Sequence, residues 1–322
     1  MTRITRRVAF AWLAGSAAMV DRCDAASSVD AALTTLVPCP DGAIILAGSQ
    51  AGVTIHDANS LEMLDRWKPA MDNVHDLCFH PDKKSLAVAG GNPGQSGIVE
   101  LVDWPTRELK RRFEGHDDIV DSVDFSSDGK QLVTASADEV CNVFATSQTK
   151  PLIRYTKHSK GVRSVRFLPD DRTIVSASRD ETLRVWESTS GNTLRTLHNH
   201  SAEVNALALR PGTQDSLPMI ASAAADQTVR FWQPTIGRMV RFIRLDSEPL
   251  GIQWSHDGSH VWAVCRDGVC RRIDAARVEV VAAEQLSGVW LYDVAIAAGV
   301  IACDSDGQLH RWPVDEFREE NK

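Results

Sequence analysis

Residues 158–197 read HSKGVRSVRFLPDDRTIVSASRDETLRVWESTSGNTLRTL, and three short runs within them alternate apolar with polar side chains. Val162, Val165 and Phe167 mark the first run, Ile174, Val175 and Ala177 the second, and Leu183, Val185 and Trp186 the third. The turn-forming clusters LPDD, SRDE and STSG separate and close them. Period-two alternation bounded by Asp, Gly and Ser predicts antiparallel strands joined by tight turns. A unit this small cannot bury both of its faces, so it must be one copy of something stacked.

Sliding the stretch along the chain finds six partners. A bulky residue ends the third strand of each copy, at His56, Val102, Phe144, Trp186, Trp232, Ile273 and Trp312, with spacings of 46, 42, 42, 46, 41 and 39 residues. In five copies an aspartate stands six positions earlier: Asp138, Asp180, Asp226, Asp267 and Asp306. A second register runs beside the first. His116, His158 and His200 lie 42 residues apart and precede these aspartates by 22, 22 and 26 positions. The four extra residues of the third copy fall in RPGTQDSLP, a polar turn at 210–218 where insertion is tolerated.

A His, a strand ending in an Asp-Gly turn, a Ser/Thr/Ala strand, an Asp and then a Trp resembles the WD-repeat β-propeller family. The segments GHDDIVDSVDFSSDG, SVRFLPDD, TASADE, SASRDE, LRVWE and VRFWQ carry the resemblance, which extends over about 29–314. It implies an all-β chain: a seven-bladed β-propeller of four-stranded antiparallel blades at 27–314, followed by a charged tail at 315–322. It also implies a buried hydrogen-bond network in each well-kept blade. The members would be His116, Thr134 or Ser136 and Asp138; His158, Ser176 or Ser178, Asp180 and Trp186; and His200, Ser222, Asp226 and Trp232. Phe144 cannot donate in the first of these. Copies one and two lack both His and Asp, consistent with a buried carboxylate being tolerable only with its partners. Copies six and seven keep Asp267, Asp306 and Trp312 without the His. There each aspartate sits beside a DG turn that it can serve by itself.

Composition narrows the function. Charged residues make up 24% and hydrophobic ones 43%, as in an ordinary folded protein. A net charge of −8 argues against a nucleic-acid coat, which needs a basic stripe. The first 26 residues differ from the rest: Arg3, Arg6 and Arg7 precede the thirteen-residue apolar run Val8–Val20. This is the pattern of a secretory signal, or alternatively of an apolar strand closing the last blade, whose outer strand must come from the tail or from residues 5–28. The first reading implies export to the periplasm or medium, the second a cytoplasmic protein. No segment is long enough for a stable membrane span.

GGNPGQSG, between Ala89 and Ile98, reads as a flexible loop: no Lys-Ser or Lys-Thr follows it as in a phosphate loop. The seven cysteines read mainly as buried small hydrophobes. Cys265 and Cys270 flank Asp267-Gly268, and a two-residue turn there would set them opposite each other, with free thiols favoured over a bridge.

No catalytic residue set, metal site or cofactor motif emerges, because the His and Asp residues recur once per repeat and are spread round a ring. The expected function is therefore a non-catalytic scaffold, a monomeric propeller that binds a protein or peptide and no nucleic acid. A propeller enzyme or small-ligand or metal sensor of the cell envelope is the alternative, as is an accessory module of an exported electron-transfer system. By the resemblance, the partner face is lined by Asn73, His75, Asp121, Arg163, Arg179, Glu203, Asn205, Glu248 and Arg266. Arg163 and Arg179 make copies four and five the expected landing place for an acidic group.

Overall fold

Each of the seven copies forms one antiparallel sheet whose strands follow chain order, so every strand pairs with its sequence neighbour. The computed structural model describes residues 31–212 and 217–312. Six sheets, at 33–67, 73–116, 120–155, 162–197, 204–244 and 249–285, have four strands; the seventh, at 291–311, has three among the described residues. The first strand of each copy is innermost. These inner strands pack side by side round the ring, and the inner strand of blade 7 closes it against that of blade 1. Among the described residues the one helical element is a 3₁₀ turn at Pro234–Ile236. The seven-bladed propeller expected from the repeat register is thus the observed fold. The segments on which the signal or closing-strand reading and the charged tail depend lie outside the described residues.

Alternation places the core between blades rather than within them. Ile174 and Trp186 of blade 4 point into the layer shared with blade 3, beside Val133, Val143 and Tyr155. Their neighbours Val175 and Val185 point the other way, to Leu207, Ile220 and Trp232 of blade 5. Seven such apolar layers are present, one at each junction. Middle strands are therefore covered on both faces, and Thr173–Ser178 is buried at every position. At the blade 3–4 junction Tyr155 stacks flat on Trp186, with centroids 4.3 Å apart and planes 6° from parallel.

Two local expectations are corrected. GGNPGQSG is mostly ladder: the strands Ser85–Asn92 and Ser96–Asp103 pair to their tips, leaving only a short turn. Its glycines serve close approach, since a Cβ on Gly90 would collide with the backbone oxygen of Asn73. Cys265 and Cys270 are not opposite each other, because Val264 is the residue that pairs with Cys270. Cys265 packs into the blade 5–6 layer and Cys270 into the blade 6–7 layer, on opposite faces of one sheet. Both are free thiols, and burial pushes both up from the ordinary cysteine value.

In blades 1, 2, 4 and 6 the hairpins between third and fourth strands share one turn, closed by a backbone bond from its fifth residue to its first. Blade 4 fills the left-handed position with Gly191 (φ 69°), whereas blade 6 fills it with Val278 (φ 63°). A β-branched residue is strained there, by about 1–2 kcal/mol. Val278→Gly is expected to raise the urea midpoint, with a net gain of about 0.5–1 kcal/mol after the greater chain entropy of glycine.

Candidate functional site

The best-kept blades hold His, Asp and hydroxyl in one arrangement. His158 Nδ1 lies 2.8 Å from Asp180 Oδ2 and its Nε2 lies 2.8 Å from Ser176 Oγ, which also accepts a bond from Trp186 Nε1 at 3.2 Å. In blade 5 the distances are 2.9 Å from His200 to Asp226, 2.7 Å from His200 to Ser222 and 2.8 Å from Trp232 to Ser222. In blade 3 His116 meets Asp138 at 2.9 Å and Thr134 at 2.7 Å, and Asn142 Nδ2 stands 3.1 Å from His116 where Phe144 offers no donor. Ser136 and Ser178 turn away to cap backbone carbonyls.

Burial pulls Asp180 upward, but the bonds from His158, Thr182 and Ser159 N outweigh it and hold the carboxyl well below the usual range. His158 is lowered by burial, against the raising influence of Asp180. The connectivity is that of a Ser-His-Asp triad, yet Ser176 and Ser222 are wholly buried and already bonded to indole N–H groups. These three networks join strands to loops and offer nothing to a substrate.

The other blades solve the same problem differently. In blade 7 the buried carboxylate is Asp304, not Asp306: it accepts from His310 Nε2 at 2.7 Å and Ser287 Oγ at 2.8 Å, while Asp306 is exposed. The imidazole there comes from the third strand, which a search for His ahead of Asp cannot find. Trp312 is buried edge-on against Trp262, centroids 4.8 Å apart. In blade 6 Arg271 grips Asp267 with two bonds of 3.1 and 2.7 Å. Blade 2 buries Glu100 with Arg112 at 2.7 Å, and in blade 1 His56 bonds Thr54 at 2.9 Å.

The face around the channel mouth is built by a feature that alternation hides. Every inner strand carries a β-bulge near its start: Thr34, His75, Asp121, Arg163, Asn205, Leu250 and Tyr292 are each skipped in the pairing register. A bulge re-aims its side chain, so one residue per blade is turned to the rim. The residue before the bulge is apolar in every blade and the one after it is Thr, Ser, Ala, Gly or Asp, whereas the bulged residue is different in all seven.

Most of the residues expected on the partner face are linked across blades. Arg163 Nη1 donates to Asp121 Oδ1 at 3.2 Å, with His75 Nδ1 3.8 Å from the same oxygen. Arg179 faces Glu203 at 3.7 Å. Asn205 Nδ2 and Arg266 Nη1 both donate to Glu248, at 3.1 and 2.8 Å. Asn73 instead turns inward to the carbonyl of Gly91. The two arginines on which an acidic docking group over blades 4 and 5 would rest therefore already face carboxylates of the chain itself.

Sequence reasoning missed the aromatic end of this face. Trp290 is 41% exposed and carries the Arg266 guanidinium 4.0 Å above its ring, with Tyr292 edge-on at 6.4 Å. Together with Gly288 and Ser305 they edge a shallow cavity of about 430 Å³. The available signal was the pair of aromatics in VWLYD, at a strand opening rather than at the repeat's usual third-strand position.

Below the mouth, the inner strands sew the blades together with side-chain-to-backbone bonds. Asp76 accepts from Val123 N at 2.9 Å, Asp124 from Phe167 N at 2.7 Å and Asp293 from Leu36 N at 2.8 Å, each reaching the next blade round the ring. Ser164 does the same for Leu207 N at 3.2 Å. Burial pushes Asp124 up to about 6 and Asp293 up to about 7. Among the described residues no three His, Cys, Asp or Glu side chains are grouped so as to hold a metal ion.

Comparison with known proteins agrees with this geometry. The family model "WD domain, G-beta repeat" matches residues 107–144, 149–187 and 191–233, the part of the ring holding the three complete networks. The three matched segments are WD repeats, and they stand in a ring of seven blades.

Similar curated proteins share only part of it. The intraflagellar transport protein 122 homolog of Xenopus tropicalis is 30% identical over 102 residues, 32% of this chain and 7% of that protein. The WD repeat-containing protein 55 homolog of Drosophila virilis is 34% identical over 83 residues, 25% of this chain and 16% of that protein. The target of rapamycin complex subunit wat1 of Schizosaccharomyces pombe is 42% identical over 77 residues, 23% of each chain. The matched segments thus span less than a quarter of each of these relatives.

Proposed function

We propose that the protein is a non-catalytic interaction scaffold that binds a protein or peptide partner on the bulged face of the propeller. One observation carries this reading: the ring repeats its framework seven times, yet presents a different side chain at every bulge. A position whose residue varies while its geometry is held constant is suited to recognition. The outer strands contrast with it, since Leu64, Leu109, Leu152 and Leu194 recur as exposed leucines in four successive blades, an ordinary apolar share of surface. The names of the relatives fit the same use, since one is a subunit of a complex and another a transport protein.

Within the face, the anchor is assigned to blades 6 and 7. Exposed Trp and Tyr beside an Arg form the kind of cluster that dominates interface energetics. Arg163 and Arg179 serve as a secondary polar rim, able to exchange their internal carboxylates for those of a partner. Capture of partners from the native compartment, with protein carrying a photo-crosslinker on this face, tests the assignment. Trp290→Ala is expected to lower partner retention about tenfold or more, and the pair Arg163→Glu with Arg179→Glu less. A partner set unchanged by all three substitutions sinks the reading.

A further inference from the structure

The geometry points to a cationic partner: the channel mouth is built to receive the tip of an arginine or lysine side chain from a basic segment. This rests on the scaffold reading above and adds the chemistry of the bound group.

The channel and its mouth are short of positive charge. Asp76, Asp124 and Asp293 line the wall, and the single guanidinium among them, Arg166, gives its Nη1 to Val165 O at 2.7 Å and Ser122 Oγ at 3.1 Å. At the mouth Asp121 is only 5% exposed; one of its oxygens meets Arg163, and the other, Oδ2, is buried with no hydrogen-bond partner. His75 does not make up the difference, because burial lowers its proton affinity despite Asp121 beside it. With Arg179 also acting on Asp121, four carboxylates face three guanidiniums round one opening, and a buried acceptor lacks a donor.

The missing charge suits an organic cation better than a metal ion. A metal needs oxygens converging within one coordination shell, whereas these carboxylates sit on blades 2, 3 and 7, and Asp76, Asp124 and Asp293 each already accept a backbone N–H. A guanidinium or ammonium group carries several donors and can share its charge over such a spread. The approach is also prepared. Trp290, Tyr292 and Asp293 lie almost consecutively on blade 7, so an aromatic slope leads to a channel carboxylate. One face of the Trp290 ring holds Arg266, and its exposed remainder is open to the stem of a long side chain. The net charge of −8 steers a basic segment toward the protein.

Protons compete with the cation. Asp293 looks onto Asp76 of blade 2, Arg166 of blade 4 and Cys303 of its own blade, and Arg166 in turn faces Asp124 and Cys78. Burial holds its proton up to about 7, and that of Asp124 up to about 6. Acidification therefore fills the same charge deficit and weakens cation binding.

The test uses the full chain and the blocked peptide acetyl-Gly-Ala-Arg-Ala-Gly-amide, with lysine, citrulline or glutamate replacing arginine in three companions. Binding is followed by NMR titration at about pH 7.5 and about pH 5.5, on either side of the two raised carboxyls. Arginine and lysine peptides are expected to bind. The isosteric but neutral citrulline peptide should bind about tenfold more weakly and the glutamate peptide not at all. Affinity for arginine should fall several-fold at the lower pH. Asp121→Asn, which keeps shape, and Trp290→Ala, on the surface, should each weaken it without altering the far-UV spectrum. Equal binding of arginine and citrulline, or no binding by any cationic peptide, overturns the inference. In either case a Trp290-dependent partner in the capture experiment would leave the scaffold reading standing.

Discussion

Asp180→Ala is expected to destabilise the propeller by about 3–5 kcal/mol, the range for removing one member of a buried, hydrogen-bonded pair. The carboxyl is 4% exposed and accepts four bonds: from His158 Nδ1, Ser159 N, Thr182 N and Thr182 Oγ1. Alanine leaves all four donors without acceptors in a site that water cannot fill without repacking. Blade 7 supplies the control. Asp304→Ala should be similarly damaging, because Asp304 is 2% exposed and holds His310 and Ser287. Asp306→Ala, at the position where the repeat register places the family aspartate, should stay within about 0.5 kcal/mol as an exposed substitution. Chemical unfolding of the three variants checks the order. If Asp306→Ala is the damaging member of the blade 7 pair, the side-chain assignment there is wrong. The same network gives a pH signature. Asp180, Asp226 and Asp138 are held below the usual aspartate value, so their contribution is complete above that value and is lost as pH falls through their lowered ones.

The fold was legible because a propeller writes its architecture once per blade. His158, Asp180 and Trp186 identify a unit, and spacings close to 42 residues count the copies even where Val102 or Ile273 has replaced the aromatic. The register failed where chemistry was conserved by other means. In blade 7 Asp304 takes its imidazole from His310, downstream, and in blade 2 the buried acid is Glu100 on the third strand. Hydrogen-bond satisfaction constrains the sum of partners and not their order along the chain, so one sequence template cannot find every solution. GGNPGQSG misled for a related reason: glycine marks a loop and a close backbone approach equally well, and only packing against Asn73 distinguishes them.

Position along the chain indicated a candidate face but not its contacts. The residues set at strand openings do surround the mouth, yet whether an arginine there is available depends on the neighbouring blade. Arg163 meets Asp121 some 42 residues away, a pairing that composition cannot reveal. The bulge is the hidden variable. Strict alternation would send the bulged residue and the second residue after it to the same side, whereas the bulge frees the bulged residue to face the rim and lets the next one line the channel. Asp76 and Asp293 occupy that next place, which is why two carboxylates that read as ordinary strand polars end up sewing blades together inside the ring.

Those carboxylates respond to pH in the reverse of the usual direction for aspartate. Asp293 gives up its proton near 3.8 in the unfolded chain but holds it to about 7 in the propeller, because burial disfavours the charged form more than the Leu36 and Val294 N–H groups favour it. Between those values the folded state binds more protons than the unfolded one, so stability must fall as pH rises through that window and level off above it. Three decades of proton affinity correspond to about 4 kcal/mol, and partial access of solvent through the channel reduces this to about 1–3 kcal/mol. Asp124 acts in the same sense up to about 6. The network aspartates act in the opposite sense below about 4. The histidines His56, His75, His158 and His200, whose proton affinity burial lowers, oppose the Asp293 trend by favouring neutral pH, so the Asp293 contribution is read by comparing the wild type with an Asp293 variant at about pH 5 and about pH 8. Asp293→Asn removes the titrating group at the loss of one N–H acceptor, about 1 kcal/mol at every pH. Its diagnostic is the slope: between about pH 5 and about pH 8 the variant should lose about 1–3 kcal/mol less stability than the wild type. An unaltered slope would mean that the blade 7–1 seam does not hold the proton.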